Sequence, residues 1–122
     1  METSWLLRIF GLSRVVFGAW LALAPSKPGE LWFGESRPGA STAALLRSVG
    51  GRDVGLGLGL AADPRPSSLW LRVGILADAV DAAATLLNRD RIPAKNFLTG
   101  FLGGLSYAVI GAAIAVRGRT DH

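Results

Sequence analysis

The longest uncharged stretch of the chain runs from residue 96 to residue 116, NFLTGFLGGLSYAVIGAAIAV. At about 1.5 Å per residue, a helix of this length crosses roughly 30 Å of hydrocarbon. Lys95 precedes the stretch and Arg117 follows it, at the two ends where long basic side chains can reach a membrane surface. The pattern therefore predicts a transmembrane helix over residues 96–116.

Three more apolar segments have helical length, although charged residues interrupt each of them. Pro25 ends the first segment, Pro64 the second, and Pro93 follows the third, since proline breaks the helical hydrogen-bond pattern. The sequence predicts an all-α protein, in which residues 1–122 form a single multi-pass membrane domain with both termini on the same side. This fold is a four-helix transmembrane bundle with helices over residues 5–24, 42–62, 68–88 and 96–116.

Tryptophans lie near the predicted membrane surfaces. Trp5 and Trp70 are near one surface and Trp20 and Trp32 near the other, which is typical of aromatic belts. Residues 28–38 connect the first two helices, and this segment either lies flat on the membrane or forms an unstructured loop. Five basic residues on the side of the termini and six on the opposite side leave the orientation open.

Composition supports a membrane protein. The chain is 50% hydrophobic and 18% charged, with a mean hydropathy of +0.38, which is too apolar for an ordinary small soluble domain. Its net charge of +4 has no dense basic cluster, so we expect the lipid bilayer as its partner and no nucleic acid. There is no cysteine, and the only histidine is His122, so we expect no metal and no cofactor.

Five charged residues near the centres of the predicted helices need an explanation: Arg14, Arg52, Asp53, Asp78 and Asp81. Each costs about 2.5–3.5 kcal/mol at the centre of a membrane helix unless it is paired. Asp78 and Asp81 are three residues apart, so they share one helix face. Arg52 and Asp53 are adjacent and project about 100° apart, so we expect each to pair with another helix. We predict that Asp78 and Asp81 meet Arg14 and Arg52, and that Asp53 completes this buried network.

The predicted network has two arginines and three aspartates. Two carboxylates on one face repel each other, so one aspartate is expected to hold a proton at neutral pH. A shared proton inside a membrane is a transport element in some proteins. Buried Arg–Asp pairs in small bundles are more often structural, so the structural interpretation comes first.

Small residues recur at four-residue spacing in two of the predicted helices. Such stripes let helix backbones approach closely, either within one protomer or between copies in a homo-oligomer, and packing within one protomer is the preferred interpretation. The stripes are Gly51, Gly55 and Gly59 in the second helix, and Gly100, Gly104, Ala108 and Ala112 in the fourth. The first two helices also match faintly at an offset of 39 positions, as in the pairs Gly11/Gly50 and Gly18/Gly57.

Two short motifs resemble a known family. LRSVGGRDVGLG at residues 46–57 and ADAVD at residues 77–81 resemble small four-helix membrane proteins of unknown function. These proteins carry Gly-Arg-Asp in the second helix and Asp-x-x-Asp in the third, and the chain is also distantly similar to DoxX-like membrane proteins. The resemblance marks Gly51-Arg52-Asp53 and Asp78/Asp81. It implies a fold and a membrane location but no activity.

Three functions are compatible with these features. We expect an interaction, accessory or assembly subunit of a cell membrane, with the bacterial cytoplasmic membrane as its location and a homo-oligomer or larger membrane complex as its state. The alternative is an oligomeric transporter or proton- or ion-conducting unit that uses the intramembrane carboxylates. A second alternative is a membrane enzyme acting on a lipid or quinone-like substrate. No catalytic residue is predicted, because no nucleophile has a base beside it.

Overall fold

The computed structural model describes residues 2–120, and these are helical almost throughout. The predicted all-α class is therefore confirmed. Five helices follow one another, with one 3-10 turn at Arg89–Arg91 between the last two: α1 Glu2–Leu23, α2 Ser26–Phe33, α3 Ala40–Ala62, α4 Leu69–Leu87 and α5 Ala94–Thr120. The terminal His122 lies outside the described residues.

The predicted four-helix transmembrane bundle is wrong. Within the described residues only two helices are long and apolar enough to cross a membrane, Thr3–Leu23 in α1 and Ala94–Gly118 in α5. Length and composition alone make this weak support for a membrane protein. The physical reason for the error is charge, because α3 and α4 each carry three charged residues along their length.

The first part of the segment between the first two predicted helices is helical. It forms α2, in which Pro28 and Gly29 are buried. Gly34 ends the helix with a φ of 75°, a left-handed conformation that glycine adopts without strain. The buried side chain of Asn96, at the start of α5, donates hydrogen bonds to the carbonyl oxygens of Glu30 at 2.7 Å and Leu31 at 3.1 Å. This side chain therefore ties α2 to α5.

Glycines bring α1 and α3 into backbone contact. A Cβ added at Gly11 would lie 2.7 Å from the carbonyl oxygen of Gly57, and one added at Gly18 would lie 2.5 Å from that of Gly50. The two helices run antiparallel, since the earlier glycine of α1 meets the later glycine of α3. The faint sequence repeat thus contains the packing glycines. The repeat aligns Gly11 with Gly50, but in the structure Gly11 contacts Gly57.

The predicted stripe in α3 does not pack within the protomer along its whole length. A Cβ at Gly51 or Gly55 would meet no neighbouring atom within 4 Å, whereas one at Gly59 would overlap the indole of Trp70. In α5, Gly104 packs against the α4 backbone at the Asp78 carbonyl and Gly100 lies against Trp32. Ala108 is partly buried and Ala112 is exposed.

Apolar side chains occupy both a small core and much of the surface, and several polar side chains are buried. A small hydrophobic core of Leu7, Phe10, Leu60 and Leu71 occupies the end of the molecule where α1 begins and α5 ends. Several large apolar side chains are strongly exposed: Val16, Leu23, Leu45, Leu69, Leu76 and Leu87. The buried polar side chains include Arg14, Asp53, Asp78, Thr85 and Asn96. These buried polar side chains place the candidate site in the middle of the bundle.

Candidate functional site

Arg14 of α1 lies at the centre of a buried ion-pair cluster. Its side chain is 3% exposed, and its Nη1 donates to Asp78 Oδ1 of α4 at 2.8 Å while its Nη2 donates to Asp78 Oδ2. The same Nη1 lies 3.4 Å from Asp53 Oδ1 of α3. One guanidinium thus joins three helices, and the paired geometry is the strong, two-point form of an Arg–carboxylate interaction.

Arg52 of α3 forms the second half of the cluster. Its Nη1 and Nη2 donate to the two carboxylate oxygens of Asp81 at 3.1 and 2.7 Å. Its Nη2 also donates to Asp53 Oδ1 at 3.1 Å. As expected, Arg52 and Asp53 each pair with another helix, and they also pair with each other because the long arginine side chain folds back along its own helix.

The five charges predicted from the sequence form one alternating row. The order is Asp78, Arg14, Asp53, Arg52, Asp81. Each outer carboxylate accepts with both of its oxygens, but Asp53 accepts three bonds with Oδ1 alone. Among the described residues no donor is assigned to Asp53 Oδ2. Every fully buried side-chain oxygen or nitrogen of the described residues has a hydrogen-bond partner. Asp53 Oδ2 has none assigned, so this atom is not fully buried, and Asp53 lines the cavity described below.

Neighbouring residues hold Arg14 in place. Gly74 leaves the room that its guanidinium occupies, because a Cβ at Gly74 would lie 3.2 Å from Nη2. The rings of Phe10 and Tyr107 lie 5.9 and 5.2 Å from Arg14 Cζ, within cation–π range. Ser13 Oγ donates to the Phe10 carbonyl at 2.7 Å, so the Tyr107 hydroxyl donates to Ser13 Oγ, also at 2.7 Å. The sequence pattern did not indicate this bond.

A cavity of about 250 Å³ lies beside the charge row. Arg14, Asp53, Asp78 and Asp81 form its polar side. The rest of its wall is largely apolar and includes four aromatic side chains, namely Phe17, Trp20, Trp32 and Tyr107. Sequence reasoning placed the two tryptophans at a membrane surface. It missed the cavity because the cavity depends on α2 folding back against α5.

A second cavity, of about 440 Å³, lies between α2, α3 and the end of α4. Trp32 and Asp81 line both cavities. Trp32 is held in place by a hydrogen bond from its Nε1 to Thr85 Oγ1 at 3.0 Å. The indole therefore separates two spaces that both reach the carboxylate of Asp81.

The chemistry available in the cluster is ionic and acid–base. Among the described residues, no group of three or more histidine, cysteine, aspartate or glutamate side chains is arranged to hold a metal ion. The three aspartates are instead shared between two arginines. The arrangement can join helices, hold a proton, or attract a positive charge.

Comparison with known proteins adds no assignment. No family model, no curated protein and no solved structure matches this chain. The resemblance to small four-helix and DoxX-like membrane proteins stays a prediction from the two motifs.

Proposed function

We propose that this chain is a multi-pass protein of the cell membrane, anchored by α1 and α5, and that it acts as an interaction or accessory subunit. The observation that supports the proposal is the combination of buried ion pairs with large exposed apolar side chains. Ion pairs occupy the interior, where Arg14 and Asp78 are 3% and 5% exposed, while Leu23 and Leu87 are 80% and 82% exposed. A soluble protein of this size rarely exposes so much apolar surface.

The Arg–Asp row is the assembly element in this proposal. Desolvating an unpaired charge in the interior of the bundle is costly, so α3 and α4 require α1 beside them. Arg14 meets this requirement for both helices, since it contacts Asp53 and Asp78 at once. The network therefore fixes which helices pack together.

Helix α5 is the interaction element. Only 6% of its candidate membrane span is buried within the protomer, against 33% for α1. Its exposed apolar residues alternate at spacings of four and three residues, a pattern along which a partner helix can pack: Leu98, Leu102, Leu105, Val109, Ala112 and Val116. We propose that a membrane helix of another protein or of a second copy packs along this row.

Single cysteines test the membrane location, because the natural chain has none. Val16→Cys in α1 and Val109→Cys in α5 replace side chains that are 70% and 59% exposed, and Ser36→Cys places a control in the exposed loop after α2. In isolated membranes a membrane-impermeant maleimide, applied to both faces, should label only position 36. Equal labelling of all three positions in membranes would contradict the proposal.

A crosslinking experiment tests the interaction role separately. A photoreactive residue at position 102 should give discrete adducts in membranes, and one at position 16, equally apolar but on α1, should give none. The homo-oligomer is distinguished by mixing two differently tagged forms of the chain. Lipid adducts alone at both positions would leave α5 as an anchor and contradict the subunit role.

A second candidate function is proton or ion conduction in an oligomer. The observation that favours it is that Asp81 lines both cavities, with Trp32 between them. Proteoliposomes containing the chain should then show proton flux that Asp81→Asn abolishes. Asp90→Asn, at an exposed aspartate in the 3-10 turn, is the matched control. Flux no greater than that of empty liposomes would exclude this candidate.

A further inference from the structure

Asp53 differs from the other two aspartates in how it is held. Its three hydrogen bonds all reach Oδ1, from Arg14 and Arg52, and in the described part of the chain none is assigned to Oδ2. The residue is nevertheless only 4% exposed, and it lines the cavity of about 250 Å³. This carboxylate oxygen, which has no assigned protein donor, is accessible and lies in the wall of that cavity.

The charge row is not balanced. Arg14 and Arg52 supply two positive charges, and Asp53, Asp78 and Asp81 supply three negative ones, so the group carries a net charge of −1 when all five are ionised. An uncompensated charge in a low-dielectric interior attracts a positive charge strongly. The two arginines are already engaged by the outer aspartates, so the compensating charge comes from outside the row, as a proton on one aspartate or as a bound cation.

The walls of the cavity favour a particular kind of cation. Phe17, Trp20, Trp32 and Tyr107 offer aromatic faces, which attract organic cations, and most of the remaining lining is apolar. An apolar cavity of roughly 150 Å³ accommodates benzene, and drug-sized ligands need roughly 300–1,000 Å³. A space of about 250 Å³ therefore fits one ring with a short side chain.

We propose that this cavity binds a small lipophilic amine in its protonated form. The ammonium group donates a hydrogen bond to Asp53 Oδ2 and supplies the missing positive charge. The hydrocarbon ring packs among the aromatic side chains, next to Trp20 and Trp32. This inference goes beyond the subunit role, because it assigns a ligand class to a space that the ion pairs leave open.

Binding of 2-phenylethylamine to the purified chain in uncharged detergent tests the proposal by calorimetry at neutral pH, where this amine is protonated. The control ligand is 2-phenylethanol, which has the same ring and still donates a hydrogen bond but carries no charge. The amine should bind with a Kd at least about tenfold lower than that of the alcohol. Equal affinities, or no saturable binding of the amine, would overturn the proposal.

Two variants locate the site. Asp53→Asn keeps the shape of the side chain and leaves two arginines against two aspartates, so the chain should stay folded while amine affinity falls at least about tenfold. Asp90→Asn removes an exposed aspartate that lines neither cavity and should leave binding unchanged. Unaltered amine binding in Asp53→Asn would show that Oδ2 is not the acceptor.

A cavity-filling variant makes the test independent of charge. Gly103 lines the cavity, and a Cβ there meets no atom within 4 Å, so leucine can be accommodated without displacing the backbone. Gly103→Leu keeps all five charges but reduces the free space, and it should abolish binding of both the amine and the alcohol. If Asp53→Asn fails to fold, undiminished amine binding by Gly103→Leu still overturns the proposal.

Discussion

Arg14 and Asp78 form a two-point ion pair that joins α1 to α4 in the interior of the molecule. The pair is deeply buried, and the Arg14 guanidinium reaches Asp53 of α3 as well. Desolvating these charges is costly, so the pair is stabilising only while both partners are present. The bundle therefore depends on matched charges more than on its small apolar core.

Removing one partner should be more harmful than removing both. Asp78→Leu leaves Arg14 with only the longer contact to Asp53, and breaking a buried pair costs about 3–5 kcal/mol. The double variant Arg14→Met/Asp78→Leu removes the charge and its partner together, so it should be less destabilised than Asp78→Leu alone. Reversible unfolding in mixed micelles measures both free energies.

The matched control for this comparison is Asp90→Leu, at an exposed aspartate outside the row. It should change the free energy of unfolding by less than about 0.5 kcal/mol. A double variant that is less stable than Asp78→Leu would contradict the ion-pair interpretation.

The glycine contact between α1 and α3 gives a second prediction. Gly57→Ala forces a methyl group against the Gly11 backbone, so the helices must separate and the free energy of unfolding should fall by about 1–3 kcal/mol. Gly51→Ala, on the open face of the same helix, should be neutral or slightly stabilising. Thermal unfolding monitored by circular dichroism compares the two, and equal losses would show that close packing at Gly57 is unimportant.

The positions of the four long helices and the pairing of the five charged residues could be predicted from the local sequence. Proline marks a helix boundary, and a charge in the middle of an apolar segment requires a partner, so both signals can be read within one segment. The predicted number of membrane spans was wrong because the apolar length of α3 was given more weight than its three charged residues. The cavity was not predictable. Trp32 reaches Thr85 across 53 residues of chain, and no local pattern indicates that α2 folds back over α4.

The packing glycines show the same limit. A four-residue spacing marks Gly51 and Gly55, but the contact with α1 uses Gly50 and Gly57, which are seven residues apart. Both spacings place small residues on one face of a helix. Which face meets the neighbouring helix depends on how α1 and α3 cross, and this depends on the position of Arg14 relative to Asp53.

The Tyr107–Ser13 hydrogen bond joins α5 to α1 and should be measurable as a coupling energy. Tyr107→Phe removes the hydroxyl donor while the ring keeps its stacked contact with Phe10, whose centroid lies 4.9 Å away. Tyr107→Phe and Ser13→Ala should each cost about 0.5–1.5 kcal/mol, and the double variant should cost little more than either one. Strict additivity of the two losses would show that the hydroxyl groups do not interact.

The Asp63–Arg65 pair after α3 gives a pH prediction. Hydrogen bonding from Arg65 lowers the pKa of Asp63 below its usual value of about 3.9. Because the folded-state pKa is depressed, the pair stabilises the protein above the unfolded pKa, and this contribution is lost as pH falls through the folded value. A carboxyl NMR titration should show a midpoint below 3.9 that rises in Arg65→Gln. An unchanged midpoint would show that Arg65 is not the cause.

Asn96 ties α2 to α5, and α2 supplies Pro28, Leu31 and Trp32 to the cavity wall. Asn96→Ala removes this donor while the Glu30 carbonyl still accepts from the Gly34 N–H at 2.9 Å, so the lost hydrogen bonding should cost about 0.5–1.5 kcal/mol. Because α2 carries Trp32, its loosening should shift tryptophan emission and speed amide exchange in residues 26–33. Asn88→Ala is the matched control, since that exposed side chain donates only to Ala84 within its own helix turn. Identical exchange rates in the two variants would mean that α2 is held by its apolar contacts, and the cavity wall would then depend on Trp32 and Pro28 instead of on this amide.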